Sequence, residues 1–409
     1  MRLKVMAGVT CVLLGVHSSA QRAGVVVPTQ APARPADPVK TLADRLDLER
    51  YKATIKALTQ FGDRLEGTDR NRAAVDWIEQ QLRLYGCTNT ERLKYMYPPP
   101  RQATAGSPVA RGATGPLGAI TRRGPRGGII GANSDPARQP DARLRALNAQ
   151  PTTPGPPTPG PREEVYCTKV GTTRPDEMYI IGAHMDGRGF GEAANDDGSG
   201  TAIVMELARV FSNPDVQTER TIRFVLWNSE ELGFVGADAY IRERRDLQGK
   251  ENPPGSGRYP EPKWLGMIQH DMMLFDHGMP LADGSLGREQ RPEADVNIEF
   301  QENSTFAAES HALARRLQQA NERYATDYPA AIGGHMAATD SNAFQNVVAA
   351  VSLRENESTV QINNGWDPHH HQPTDIYANF SDKDFRLGLN AAQTTLGAVA
   401  QLTGASLIR

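Results

Sequence analysis

The chain has 409 residues, of which 39% are hydrophobic, and a formal net charge of −3 at pH 7. That is ample for a sizeable core, and the near balance of charge excludes a surface built as a whole for nucleic acid or an anionic membrane. Length alone suggests two or three domains, but the order of the elements argues for fewer.

Met1-Arg-Leu-Lys4 is basic, 5–16 is an apolar run, and Ser18-Ser-Ala20 supplies small residues before Gln21. The run is short of the ~20 residues a membrane span needs. Residues 1–20 therefore read as a signal peptide cleaved near Ala20-Gln21, which predicts a secreted or periplasmic chain. Cys11 lies inside the run without the small-residue setting of a lipoprotein cysteine, so no stable membrane anchor is expected. Cys87 and Cys167 then remain for an oxidising compartment.

Residues 21–40 are rich in Pro and Ala and read as a flexible linker, followed by one folded domain over 41–409. Apolar residues at Leu46, Leu48, Tyr51, Ile55, Leu58 and Phe61 keep a helical period, as one helix or two short ones. Thr68 or Asp69 caps a helix that carries Ala74, Trp77, Ile78 and Leu82 and stops at Gly86. A strand is predicted over 88–97.

From about 98 to 162 the pattern breaks. About half of the chain's 29 prolines fall here, with nine arginines, two aspartates and no hydrophobic period. This is a disordered, low-complexity insertion. It carries +7, which leaves −10 on the rest of the chain. Lengthening a loop from ~8 to ~64 residues costs only about 1.8 kcal/mol of closure entropy. If the strands on either side pair as an antiparallel hairpin, Cys87 and Cys167 can meet. A disulfide closing ~80 residues would then restrict the unfolded chain by about 4–5 kcal/mol.

Beyond the insertion, strands are predicted over 164–170 and 177–183, the second ending at His184. An amphipathic helix over 201–211 and a continuous apolar strand over 221–228 follow. Ser229-Glu-Glu-Leu-Gly233 leads into a helix through Tyr240, and a strand over 264–269 ends in His270-Asp271. Further elements are a strand over 296–300, a helix over 306–320 and a strand over 347–353. Ser381-Asp-Lys-Asp384 has capping-box spacing and opens a closing helix to Leu402. Strands alternating with helices over one sheet predict an α/β fold, a single mixed central sheet flanked by helices on both faces.

The chemistry gathers at strand ends. His184, Asp186 and Asp196 follow one strand, and ligands of open α/β sheets bind in the crevice at those ends. Imidazole with carboxylate suits zinc or a similar cation. Glu230 and Glu231 follow another strand, and neighbours in extended chain point in opposite directions. One carboxylate can therefore hold a metal while the other faces a substrate. Asp271 ends a third strand, and the loop His369-His-His371 runs into Gln-Pro-Thr-Asp375, an acid placed to orient the His371 ring. Taken singly, these are also a turn histidine, a solvated acidic turn and a helix cap. Their convergence in one domain argues for a site.

Five stretches, Gly182-Ala-His-Met-Asp186, Ala194-Asn-Asp-Asp-Gly-Ser-Gly200, Glu230-Glu-Leu-Gly-Phe-Val-Gly236, Ile268-Gln-His-Asp-Met272 and His371-Gln-Pro-Thr-Asp375, together resemble the zinc aminopeptidases of the M28 peptidase family. The resemblance covers about 60–95 and 163–402. It implies a zinc-exopeptidase, phosphorylase/hydrolase-like domain over 41–409, a peptide or protein substrate, and two Zn2+ ions. His184 and Asp271 would hold one ion, His371 and Glu231 the other, and Asp196 would bridge them. Two cations about 3.5–4 Å apart polarise a scissile carbonyl and acidify water. Glu230 would act as general base and then acid, and Asp186 would orient His184.

Many members have Tyr immediately before the last histidine, where this chain has His370. That position implies an imidazole in contact with the oxyanion, so His370 is expected to affect turnover and His369 to be dispensable. Thr339-Asp-Ser-Asn-Ala-Phe344 matches the family's Ser-Asp stretch only loosely. Alternatives are a carboxypeptidase or dipeptidase on the same scaffold, a glutaminyl-cyclase-like acyltransferase with one metal, and a non-catalytic binding ectodomain with none. Nothing in the sequence speaks to oligomeric state.

Overall fold

The computed structural model describes residues 37–98, 157–188, 191–275, 296–355 and 369–408. The expected signal peptide and nearly all of the expected insertion lie outside these residues. The strands are β1 (Thr90–Tyr97), β2 (Gly160–Lys169), β3 (Arg174–His184), β4 (Val216–Gln217), β5 (Arg220–Trp227), β6 (Lys263–His270), β7 (Val296–Glu299), β8 (Ala330–Gly333), β9 (Ala350–Arg354) and β10 (Ser406–Leu407). Eight of them form one sheet in the order β1-β2-β5-β3-β6-β9-β7-β8, and β4 pairs with β10 apart from it.

β5, β3, β6 and β9 are mutually parallel, so their carboxyl ends lie along one edge. β1, β2 and β5 are joined antiparallel, as are β9 and β7. Alternate side chains enter opposite layers, as the pleat requires. Ile181, Ala183, Phe224, Leu226 and Ile268 face one apolar cluster, and Met178, Ile180, Val225, Trp227 and Met267 face the other. The first is covered by α1 (Pro38–Ala43), α2 (Leu48–Leu58), α3 (Asp69–Leu84), α4 (Gly198–Phe211), α6 (Ala307–Tyr324) and α8 (Asp382–Thr403). The second is covered by α5 (Val235–Arg244) and α7 (Ser341–Phe344). This is the mixed sheet with helices on both faces that the alternation predicts.

Four local differences have physical reasons. α1 begins inside the segment expected to be linker: Asp37 accepts from the Val39 amide at 3.0 Å, and Pro38 at the first helical position has no amide to leave unsatisfied. The apolar period over 46–61 resolves into separate helices, with α2 followed by a short 3-10 turn (Thr59–Phe61). α4, expected to be amphipathic, is buried on nearly every side, because it lies between the sheet, α2 and α8. Its start admits only glycine at Gly200, where an added Cβ would stand 2.6 Å from both the Asp197 carboxylate and the His270 carbonyl. β8 was not expected, since four residues leave too little period to detect.

β1 and β2 form the anticipated hairpin, with Thr90 opposite Cys167. Cys87 and Cys167, both buried, are joined as a disulfide across a sequence separation of 80.

Candidate metal centre

Every expected site residue lies at the carboxyl edge of the parallel strands. His184 is the last residue of β3, Asp271 follows β6, and Glu230 and Glu231 open a 3-10 turn (Glu230–Leu232) after β5. Asp196 precedes α4, and His371 stands in the loop before α8 with φ +53°. His184 Nε2 is 3.3 Å from Asp196 Oδ1 and 3.8 Å from Asp271 Oδ1. His371 Nε2 is 3.1 Å from Asp196 Oδ2 and 3.2 Å from Glu231 Oε2. Two clusters result, and Asp196 turns one oxygen toward each. His370 faces the same cluster, its Nε2 3.7 Å from Asp196 Oδ2 and its ring centroid 3.9 Å from that of His371.

Neighbouring polar groups hold these side chains in place. His184 Nδ1 meets the main-chain carbonyl of Asp186 at 3.1 Å, while the Asp186 carboxylate is 3.8 Å away. That carboxylate instead accepts from the Glu230 and Glu231 amides at 3.2 and 3.3 Å. Asp186 therefore ties β3 to the glutamate turn, a wider role than orienting a ring. Asp375 accepts from the Asn195 and Asp196 amides at 2.7 and 2.9 Å, so it positions Asp196. His369 is not a free loop residue. It is buried, meets Thr374 Oγ1 at 2.9 Å and packs edge-on against Phe275 and Phe380, so it is structural where sequence reasoning had it dispensable.

Sequence reasoning missed several supports. Asp197, joined to Asp196 by a cis peptide, accepts from the amides of Gly200 at 2.8 Å and of His184 and Met272 at 3.2 Å. It thereby knits β3, β6 and α4 together, and the acid just before a Gly-Ser-Gly helix start was the helix-cap signal that could have found it. Glu355, after β9, accepts from Asn195 Nδ2 and from the Leu274 and Phe275 amides. Arg64, fully buried, donates to the carbonyls of Met185, Glu192 and Ala193 at 2.7 to 3.0 Å, gripping both ends of the loop between His184 and Asp196. Asp340, in the loosely matching stretch, accepts from Gln269 Nε2 at 3.1 Å behind the site.

The electrostatics separate the acids. Burial pushes the Glu230 carboxyl well above the usual carboxylate range, with His184 opposing the rise and Glu231 adding to it. The Glu230 side chain makes no hydrogen bond or ion pair with the described residues. Burial likewise raises Asp186 to about 7. Asp271 is held at about 2, because Arg354, 2.8 Å away, and His184 outweigh its burial. Burial opposes protonation of His371, but the Glu231 and Asp196 carboxylates win and raise it to about 10. Burial and the charge of His371 lower His370 to about 3.

These residues fit a metal. Asp186, Asp196, Asp197, Glu230, Glu231 and Asp271 are all buried in one region, and uncompensated buried charge is expensive. Glu231 Oε1 is buried with no hydrogen-bond partner among the described residues. Ligand atoms of Asp196, His370 and His371 lie within 4.8 Å of one another, as do those of His184, Asp197 and Asp271. Nitrogen and oxygen donors so arranged are the zinc-type set.

The sequence model of Peptidase family M28 matches residues 165–393. The probable lipoprotein aminopeptidase LpqL of Mycobacterium tuberculosis is 25% identical over 236 residues, 56% of this chain and 43% of LpqL. Carboxypeptidase Q of Xenopus laevis is 38% identical over 71 residues, 17% of this chain and 15% of that one. The chain thus spans less than half the length of these curated relatives. The solved structure of BSAP, a zinc aminopeptidase from Bacillus subtilis, superposes with a TM-score of 0.57 at 15% identity, covering 87% of this chain and 95% of BSAP. The family match takes in more than half of the residues, including every one that converges at the sheet edge, and the chain belongs to the M28 peptidase family.

Proposed function

We propose that the chain is a secreted or periplasmic dinuclear zinc exopeptidase, and that it removes residues from the amino terminus of peptides. The observation that carries this reading is Asp196, whose two carboxylate oxygens stand 3.3 Å from His184 Nε2 and 3.1 Å from His371 Nε2. Such a carboxylate suits two cations bridged by one acid, with Asp271 completing the His184 side and Glu231 the His371 side. When bound, the ions supply Lewis acidity toward the scissile carbonyl and an acidified water.

The remaining chemistry belongs to the chain. Glu230, raised by burial and with its carboxyl free of hydrogen bonds to the described residues, takes a proton from water and delivers it to the leaving amine. Asp186 holds Glu230 at its amide and His184 at its ring, which fixes the base relative to one ligand. His370, whose Nε2 is 3.7 Å from Asp196 Oδ2, would donate to the developing oxyanion from its ring. Export rests on residues 1–20; among the described residues no helix is long and apolar enough to cross a membrane.

Zinc content of the purified chain and hydrolysis of aminoacyl against carboxy-terminally blocked and free peptides test the reading together. Two ions with cleavage of aminoacyl substrates are expected. Two ions with cleavage only at free carboxyl termini would make it a carboxypeptidase, and one ion would favour the cyclase-like alternative.

A further inference from the structure

The two clusters have like donors but differ in how an arginine accompanies them. Asp271 Oδ1 has Arg354 Nη2 at 2.8 Å, and both side chains are buried, with 2% and 6% exposure. Arg354 ends β9, which pairs with β6, so this counter-charge is fixed by the sheet. Glu231 has Arg188 instead. Its Nη1 donates to the Glu231 carbonyl at 3.0 Å and to Oε2 at 3.1 Å, and the side chain is 20% exposed in the loop after β3. Oε2 is also the oxygen that His371 Nε2 approaches at 3.2 Å. Among the described residues only one of the guanidinium's nitrogens is engaged, so Arg188 can pivot while keeping its charge near the cluster.

We propose that Arg188 is a positioning residue that sets the cation affinity of the His371 half by placing its charge on the Glu231 carboxylate. This rests on the dinuclear reading above. A guanidinium and a dication cannot share one carboxylate in a poorly solvated site without mutual repulsion. Pinning the Glu231 rotamer favours binding, but only by the side-chain entropy of one residue, so charge dominates and Arg188 lowers the affinity. The His371 half is thereby looser and more exchangeable than it would be without Arg188. It also follows that Arg188 distinguishes the two adjacent glutamates, since Glu230 has no such partner.

The test uses the full chain, stripped of metal and titrated with Zn2+ against a chromophoric chelator, with the melting temperature of the metal-free form followed in parallel. The wild type is expected to take up two ions. Arg188→Gln should tighten uptake of one of the two ions about ten- to a hundredfold, the size carried by a hydrogen bond to a charged group. Arg188→Lys, which keeps the charge, should stay near the wild type, an outcome that a merely structural role would not produce. Arg188→Ala substitutes for the Gln variant should that one fail to fold. Unchanged or weakened affinity in the neutral variants, on a wild type that binds two ions, overturns this inference alone. A wild type that binds fewer than two ions overturns the dinuclear reading and this inference with it.

Discussion

The His184 half and the His371 half of the site offer similar atoms on dissimilar supports. His184 and Asp271 are direct ends of adjacent parallel strands, and their side chains are 1% and 2% exposed. His371 comes from a loop, with φ in the left-handed region and its side chain 35% exposed, and Glu231 comes from a 3-10 turn. The first half is positioned by the hydrogen-bond ladder of the sheet. The second depends on side-chain bonds, those of Asp186 to the glutamate turn and of Asp375 to the Asp196 loop. Donors on strands are preorganised by the fold, and donors on loops only by their neighbours.

The comparison can be broken or sharpened in several ways. The largest effect is expected from Glu230→Gln, which should lower kcat by about 10²–10⁴ while both halves keep their metal. Loss of an ion in that variant would mean the roles of Glu230 and Glu231 are reversed. Reduction of the Cys87–Cys167 disulfide comes next as a control outside both halves. It should cost up to about 4–5 kcal/mol of stability in the chain-entropy model and lower the melting temperature, with zinc stoichiometry of the folded chain intact. A stoichiometry that changed on reduction would couple the hairpin to the site.

Replacement of the two histidines tests the supports directly. His184→Ala and His371→Ala should each lose an ion, but His184→Ala should lower the melting temperature of the metal-free chain more, because it removes a fully buried, hydrogen-bonded ring worth about 1–3 kcal/mol. Equal losses of stability would erase the distinction between strand-borne and loop-borne donors. His370→Ala should reduce kcat with metal retained, whereas His369→Ala should act on stability.

The smallest expected effect is a pH dependence confined to the β6 side. His270, buried beside Asp271 with Thr395 Oγ1 2.8 Å from its Nε2, is lowered by burial to about 4. An unfolded histidine titrates near 6.5, so between these values the unfolded chain binds the extra proton. The contribution is therefore whole above about pH 6.5 and falls away as pH drops toward 4. His270→Asn should be less stable at pH 7 yet lack this component of acid lability in urea titrations across that window.

Much of this was legible in the residues. The apolar runs ending at His184, Trp227 and His270 marked three of the parallel strands, and the residues just past them supplied most of the donors. The capping acid of the closing helix and the hairpin that brings Cys87 to Cys167 were also written locally. β8 was not, being four residues long, nor was the buried fate of His369, which depends on Phe275 from a distant part of the chain as well as on nearby Phe380.

What the sequence by itself determined is the order of strands and helices and the kind of donor at each strand end, because periodicity, caps and residue chemistry act over a few neighbours. Which oxygen of Asp196 faces which histidine, that Asp186 binds the glutamate turn, and that Arg354 and Arg188 stand on different ligand carboxylates were decided only by the tertiary structure. Those pairings join residues apart in sequence, some by more than eighty positions, as with Arg354 and Asp271. Coulomb energy and hydrogen bonding depend on distance in space, which strand order along the sheet sets and no local pattern records.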